Sequence, residues 1–369
     1  LILYHTTQGN LNCMHEKLTI DKSNFIGFLE ELHSSSDLSS IRSKLSELVA
    51  IIDDAYGNSK GIVTTDNNGD TIELSRSYLI NELTQIKKTH TLERTKYYLQ
   101  RLIKGVTEIK TTGINDINLN RWKEYDEILT DSLWVLPKRD SYGAHSSWYW
   151  GNFIPQIPHQ MMLRYTKAGE LVVDPFVGSG TTLLECQRLG RHGIGLELNE
   201  DIAGRTREIV KDDGKVTTII ETGNSAEIDF QKLLSDNGFA SAQLLLVHPP
   251  YHDIIPFSDN PKDLSAQKSV DAFLHLFGNV LDNIYPILDK GRFMAVVIGD
   301  KYEKGEWIPL GFYIMQEVLK RKFKLKSTIV KNFEDTTAKR NQKELWRYRA
   351  MAGGFYIFKH EYIFVFQKK

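Results

Sequence analysis

Two spacings of apolar residues divide the chain. Up to about residue 120 they recur every three or four positions: Phe25, Ile26, Phe28, Leu29 and Leu32; Ile41, Leu45, Leu48, Val49 and Ile52; Tyr78, Leu79, Leu83 and Ile86; Tyr97, Tyr98, Leu99, Leu102 and Ile103. That spacing keeps one face of a helix apolar, so residues 1–120 read as an all-helical region. Asn67-Asn68-Gly69-Asp70 marks a turn inside it. From about residue 168 the texture changes to short apolar runs, at 170–174, 192–197, 217–220, 243–247 and 293–298, which predict buried strands. The segments near 181–190, 200–212, 227–236, 269–287 and 308–321 predict helices between them. Strands alternating with helices imply an α/β fold with a doubly wound, mostly parallel sheet, in which ligands bind beyond the carboxyl ends of the strands. The run from Tyr356 to Phe366 predicts a terminal strand pairing antiparallel at an edge.

At 369 residues the chain exceeds one small domain and fits a large α/β domain with an appendage. Its 46 basic and 47 acidic residues nearly cancel, so a nucleic-acid partner would have to be held by a local basic face. Lys331, Lys339, Arg340, Lys343, Arg347 and Arg349, interleaved with Trp346 and Tyr348, offer such a stretch; a solvated charged face is the alternative. The two cysteines, Cys13 and Cys186, lie far apart with no Cys-x-x-Cys partner, so neither a disulfide framework nor a metal site is expected. Cys186 falls inside a predicted helix and reads as a buried small residue. No apolar run approaches the roughly 20 residues of a membrane span, and a cytoplasmic location without a membrane partner follows as the expectation.

The chemistry concentrates at strand ends. Val172-Val173-Asp174-Pro175-Phe176-Val177-Gly178-Ser179-Gly180-Thr181-Thr182 sets a strand, a carboxylate, a glycine turn and a helix start in succession. The glycines allow positive φ and close approach of backbone to a ligand, and a threonine can cap the helix. The loop has no lysine for terminal phosphates, which argues against nucleotide hydrolysis. Glu197 ends the next strand, where a ribose diol would lie. Downstream, the strand Leu244–Val247 runs into His248-Pro249-Pro250-Tyr251, whose two prolines stiffen the chain while Pro249 keeps its carbonyl.

Together these two motifs resemble those of the S-adenosylmethionine-dependent DNA amino-methyltransferases, the adenine-N6 and cytosine-N4 group. Their glycine loop has the usual form DPFxGSGTT, and their catalytic tetrapeptide is Asp, Asn or Ser followed by Pro-Pro and an aromatic residue. The resemblance covers roughly residues 145–369, so 121–369 reads as the methyltransferase domain and 1–120 as a recognition or oligomerisation element. It implies that Asp174, Pro175, Phe176, Gly178, Gly180 and Thr181 hold the methionine side of S-adenosylmethionine and that Glu197 holds the ribose. Asn224, in Thr222-Gly223-Asn224-Ser225, would meet the adenine. The segment from Phe153 to Gln160 resembles the cofactor segment that precedes the glycine loop in that family, plain packing being the other reading. The resemblance further implies that residue 248 and the Pro249 carbonyl hold the amino hydrogens, while Pro250 fixes the tip and Tyr251 stacks on a base flipped out of double-stranded DNA. His248 departs from the pattern, yet a neutral imidazole still offers one acceptor. A cytosine-C5 mechanism is set aside because no cysteine lies in the Pro-Pro segment.

The alternatives are an RNA guanine-N2 methyltransferase and a non-catalytic nucleic-acid-binding subunit on the same fold. Only about 70 residues separate the two motifs, so specificity would come from residues 1–120, from loops after Tyr251 and Phe333, or from a partner subunit or second copy. A restriction-modification or phage-defence setting is the association that goes with the family.

Overall fold

A computed structural model of the chain describes residues 17–53, 61–64, 69–146, 148–211, 214–332 and 343–369. Its contacts separate two units, Leu1–Thr112 with Ile117–Glu127, and Gly113–Asp116 with Ile128–Lys369.

In the first unit the three-and-four spacing does form helices. They are α1 (Lys22–Ser34), α2 (Leu38–Asp53), α3 (Arg76–Lys87) and α4 (Leu92–Thr107). Phe25, Leu29, Ile41, Leu45, Leu79, Leu83 and Leu99 are wholly buried in one core. Asp21, Ser75 and Thr91 cap α1, α3 and α4, their side chains accepting from backbone N–H groups that have no partner inside the helix. The unit is not all-helical. Strands β1 (Lys17–Asp21) and β2 (Thr71–Ser75) pair antiparallel, with Lys17 opposite Ser75 and Asp21 opposite Thr71. The alternation that makes this ribbon is only five residues long; Leu18 and Ile20 face the core between solvent-side neighbours. Asn67 and Asn68 of the expected turn lie outside the described residues; Gly69 and Asp70 lead directly into β2.

In the second unit the elements run β3 (Leu133–Trp134), α5 (Gln156–Tyr165), β4 (Leu171–Asp174), α6 (Thr181–Leu189), β5 (His192–Glu197), α7 (Glu200–Ile209), β6 (Thr218–Thr222), α8 (Phe230–Asp236), β7 (Ala242–Val247), α9 (Val270–Ile284), β8 (Leu288–Ile298), β9 (Lys301–Glu303), β10 (Glu306–Ile308), α10 (Leu310–Leu319), β11 (Phe323–Asn332), α11 (Lys343–Gly353) and β12 (His360–Lys368). The main sheet has eight strands in the order β3-β11-β12-β8-β7-β4-β5-β6. Its middle strands are apolar on both faces, and the period of two sorts them. Leu171, Val173, Leu245, Val247, Met294 and Val296 join α8, α9 and α10 in one core. Val172, Leu244, Leu246, Ala295 and Val297 join α5, α6 and α7 in the other. Burying such a side chain contributes roughly 1.5–3 kcal/mol, so helices are held on both faces and the sheet is doubly wound. Cys186 lies wholly buried in the second core.

Strands β4, β5 and β6 step outward in one direction; the chain then crosses back, and β7 pairs parallel with the other side of β4. The strand order therefore reverses between β4 and β7, which is where a doubly wound sheet opens a crevice. The terminal strand β12 is antiparallel as expected but is not at an edge. It lies between β8 and β11, antiparallel to both, and the sheet continues through β11 to β3. Residues 356–358 lie outside it. No helix among the described residues is long and apolar enough to cross a membrane.

Candidate active site

The glycine loop leaves β4 at Asp174 and enters α6 at Thr181. Gly178 and Gly180 both take positive φ, +48° and +80°. A Cβ on Gly180 would stand 2.6 Å from Val210 and 2.8 Å from Thr206, so α7 lies directly on the loop. The Thr206 hydroxyl donates to the Gly178 carbonyl at 2.7 Å. Asp174 has no exposed surface; it accepts from the Phe176 N–H at 2.9 Å and the Thr182 hydroxyl at 2.5 Å. Burial, against those hydrogen bonds and with the nearby Glu197 charge, pushes its carboxyl up to about 7. Asp174 therefore braces the turn from behind and presents no surface to a ligand. Thr181 donates to Asn152 at 2.6 Å and supplies no helix cap.

Glu197 ends β5 and accepts from the Gly178 N–H at 3.1 Å and the Asn199 N–H at 3.0 Å. Burial raises its carboxyl despite these bonds. A carboxylate has about four lone-pair directions, so acceptor capacity remains. It borders a cleft of about 350 Å³, lined also by Tyr149, Asn199, Glu200, Asp201, Phe257 and Asp263. Tyr149 and Phe257 stack there with ring centres 5.5 Å apart. Asn224 follows β6, and its side-chain oxygen takes the Ala226 N–H while its amide nitrogen is buried with no hydrogen-bond partner among the described residues. Next to it, the Ser225 hydroxyl donates to the Pro175 carbonyl, which ties this loop to the glycine loop.

The tetrapeptide leaves β7, the strand beside β4, at the same end of the sheet. The His248 ring meets Phe153 edge-on at 4.9 Å and Tyr251 at 5.6 Å. Its Nε2 lies 3.3 Å from the Tyr251 hydroxyl, which donates to Glu361 at 2.9 Å; the other Glu361 oxygen accepts from Lys331 at 2.8 Å. Burial, with the Lys331 charge adding and the Glu361 charge opposing, pulls the His248 imidazole down to about 4, so it is neutral at physiological pH. Burial and Glu361 push the Tyr251 phenol well up. Among the described residues no donor reaches the Pro249 carbonyl or His248 Nδ1.

A model of the DNA methylase family matches residues 56–208 and 242–369. The chain belongs to that family. Among curated relatives, it is 40% identical over 58 residues to the Type II methyltransferase M.MjaII of Methanocaldococcus jannaschii, a match covering 16% of this chain and 11% of that protein. It is 34% identical over 97 residues to the Type II methyltransferase M.SmaI of Serratia marcescens, covering 24% of this chain and 32% of that one. The chain thus matches less than a third of the length of these relatives. Among solved structures, TrmN from Thermus thermophilus aligns with 59% of this chain and 49% of its own at 16% identity and a TM-score of 0.39.

S-adenosylmethionine is the cofactor of this DNA methylase family, and the residues present fit it. The acidic lining of Glu197, Glu200, Asp201 and Asp263 suits a cation. The amide nitrogen of Asn224, without a partner among the described residues, is a donor for a ring nitrogen. The cleft is of the size that holds small ligands, about 300–1,000 Å³. Of the residues singled out in the sequence, Glu197 lines this cleft, whereas the Phe153 ring packs on His248. Sequence reasoning missed Tyr149, Phe257 and Asp263 in the cleft and Glu361 behind Tyr251. The adjacent Trp148-Tyr149 pair was a signal for the first. Lys331, expected on a nucleic-acid-contacting stretch, is instead buried against Glu361. Lys339 and Arg340 lie outside the described residues; Arg347, Tyr348 and Arg349 are exposed on α11.

Proposed function

We propose that this chain transfers a methyl group from S-adenosylmethionine to an exocyclic amino group of a DNA base, N6 of adenine or N4 of cytosine, with the base turned out of the duplex. One observation carries the reading: the glycine loop and the His-Pro-Pro-Tyr tip leave neighbouring parallel strands at the point where the strand order reverses. A cofactor lying across the first is then within reach of a base held by the second.

Glu197 would bind the ribose and Asn224 the adenine, with Asp174, Pro175, Phe176, Gly178, Gly180 and Thr181 shaping the loop beneath the methionine part. When bound, S-adenosylmethionine supplies a methyl group on a positively charged sulfur, which would be left as a neutral thioether while the amine gives up one hydrogen as a proton to solvent. An exocyclic amine is a poor nucleophile while its lone pair is delocalised into the ring. His248 Nδ1 and the Pro249 carbonyl would each accept one amino hydrogen and turn that lone pair out of the ring plane, a contribution of orientation and not of covalent catalysis. Pro250 keeps the tip rigid, and a face of Tyr251 would stack on the base. The helical unit is proposed as a recognition or assembly element, and the Type II relatives support a restriction-modification setting in the cytoplasm.

The test is nucleoside mass spectrometry after incubation with isotopically labelled S-adenosylmethionine. Label in N6-methyladenine or N4-methylcytosine from unmethylated DNA is the expected result and identifies the base. Label confined to RNA guanine would refute the DNA reading, and no label despite cofactor binding would refute catalysis by this chain alone.

A further inference from the structure

Lys331 and Glu361 form an ion pair with both side chains only 5% exposed, directly behind the tetrapeptide. Neither touches the cleft, and a buried pair is weak as a source of stability because desolvation offsets the attraction. Its hydrogen-bond directions give it another use. An ammonium only donates and an ionised carboxylate only accepts. Lys331 occupies one oxygen of Glu361, and the 2.9 Å contact of the other oxygen with the Tyr251 hydroxyl must therefore use the phenol hydrogen. Tyrosine has one such hydrogen. The contact between that hydroxyl and His248 Nε2, at 3.3 Å, must then use a hydrogen on Nε2. A neutral imidazole carries only one N–H, so Nδ1 is left bare as an acceptor.

We propose that Lys331 and Glu361 are positioning residues that act through Tyr251 to fix the His248 tautomer, with hydrogen on Nε2 and a lone pair on Nδ1. Aspartate and serine present an acceptor oxygen whatever lies behind them, and asparagine does so by turning its amide. Histidine does so on a given nitrogen only in one tautomer, so this site needs a device that the others do not. The role of the bare Nδ1, accepting a hydrogen of the substrate amine, rests on the proposed methyl transfer; the tautomer itself does not.

The relay can be reversed by one substitution. In Glu361→Gln, the Lys331 ammonium beside residue 361 can only donate, so the amide turns its oxygen to Lys331 and its NH₂ to Tyr251, to which it donates. The phenol hydrogen then turns to His248 Nε2, and the ring proton moves to Nδ1. Removing the constraint with Lys331→Met in the same chain lets the amide turn over, its oxygen again accepting from Tyr251. The experiment is long-range proton–nitrogen NMR of histidine-labelled protein, with the His248 signals assigned by His248→Gln. The nitrogen coupled to both carbon-bound ring protons is Nε2, so the spectrum states which nitrogen is protonated.

The expected result is a bare Nδ1 in the wild type, a bare Nε2 in Glu361→Gln and a bare Nδ1 again in the double variant. In parallel, kcat should fall about 100-fold in the single variant, with KM little changed, and recover in the double one. Tyr251→Phe serves if Glu361→Gln fails to fold, and should leave His248 as a mixture of tautomers. A protonated Nδ1 in the wild type, or a tautomer indifferent to both Glu361→Gln and Tyr251→Phe, overturns the relay. Tautomers that move as expected in a protein that methylates nothing support the relay and count against the proposed function instead.

Discussion

Gly180→Ala tests whether the glycine loop is held by packing from α7 as well as by its own backbone. Gly180 sits at φ +80°, where any side chain costs about 1–2 kcal/mol. The added methyl would also lie 2.6 Å from Val210 Cγ2 and 2.8 Å from Thr206 Cγ2, so α7 must yield; overpacking of this kind costs about 1–3 kcal/mol. Together the two make roughly 2–5 kcal/mol, a melting temperature lower by roughly 4–20 °C for a unit of this size. Gly190→Ala separates the terms. Gly190 is also left-handed, at φ +69°, but among the described residues nothing beyond its chain neighbours lies within 4 Å of its missing Cβ, so only the backbone cost of about 1–2 kcal/mol applies. The assay is thermal and urea unfolding of both variants, with the added stability from saturating S-adenosylmethionine measured on each. Because Thr206 also holds the Gly178 carbonyl, Gly180→Ala should lose most of its cofactor stabilisation while Gly190→Ala keeps it. Equal destabilisation of the two variants, or cofactor stabilisation retained in Gly180→Ala, refutes the reasoning.

Glu197→Gln should weaken S-adenosylmethionine about 10- to 150-fold by titration calorimetry, the cost of losing a hydrogen bond to a charged group, about 1.5–3 kcal/mol; unchanged affinity would remove Glu197 from the site. His248 is already neutral near pH 7, its imidazole pulled to about 4 by burial. Methyl transfer should therefore show no His248 step near 6.5, and the His248 contribution should be lost only as pH falls through about 4; a step near 6.5 that His248→Asn abolishes would contradict this. Glu185 is fully buried, and burial alone would raise its carboxyl, yet hydrogen bonds from His145 and His159, with the His159 and Arg188 charges, hold it at about 2 against an ordinary 4.5. A depressed folded-state value contributes stability above about 4.5 that is lost as pH falls toward 2, here up to about 3 kcal/mol. Urea midpoints measured from pH 6 down to pH 2 should fall less steeply in Glu185→Gln than in the wild type, and parallel curves would contradict the assignment.

Much of the second unit was legible because its signals are local. The apolar runs of β4, β5 and β7, the strand-end positions of Asp174 and Glu197 and the Pro-Pro stiffening after Val247 all depend on residues close in sequence. What escaped depends on distant partners. The central strand β12 looked like an edge strand because the run carries no information on its neighbours; β11, which encloses it, reads Phe-Lys-Leu-Lys-Ser-Thr and hides its strand character among exposed lysines and polar residues. Lys331 was misread for the same reason. A lysine in a basic stretch is ordinarily solvated, and only the pairing of β11 with β12 sets it opposite Glu361.

The segment 149–153 shows what such contacts add to the site. Within five residues Tyr149 lines the cleft and packs on Gly178, Asn152 accepts from Thr181 at the start of α6, and Phe153 sets its ring edge-on to His248. Upstream, Asp140 pairs with Arg188 and His145 with Glu185, both on α6, so the segment is anchored to the helix that begins at the glycine loop. One short stretch of chain therefore touches the cleft beside Glu197, the glycine loop and the His-Pro-Pro-Tyr tip. A shift of that stretch by an ångström would move Tyr149 and Phe153 together, and the alignment of a methyl donor with a base amine is the step least tolerant of such a shift. On the proposed methyl transfer, histidine at position 248 adds an orientation requirement of its own, and the chain supports this one side chain from two sides, with Phe153 against the ring and Tyr251 at Nε2.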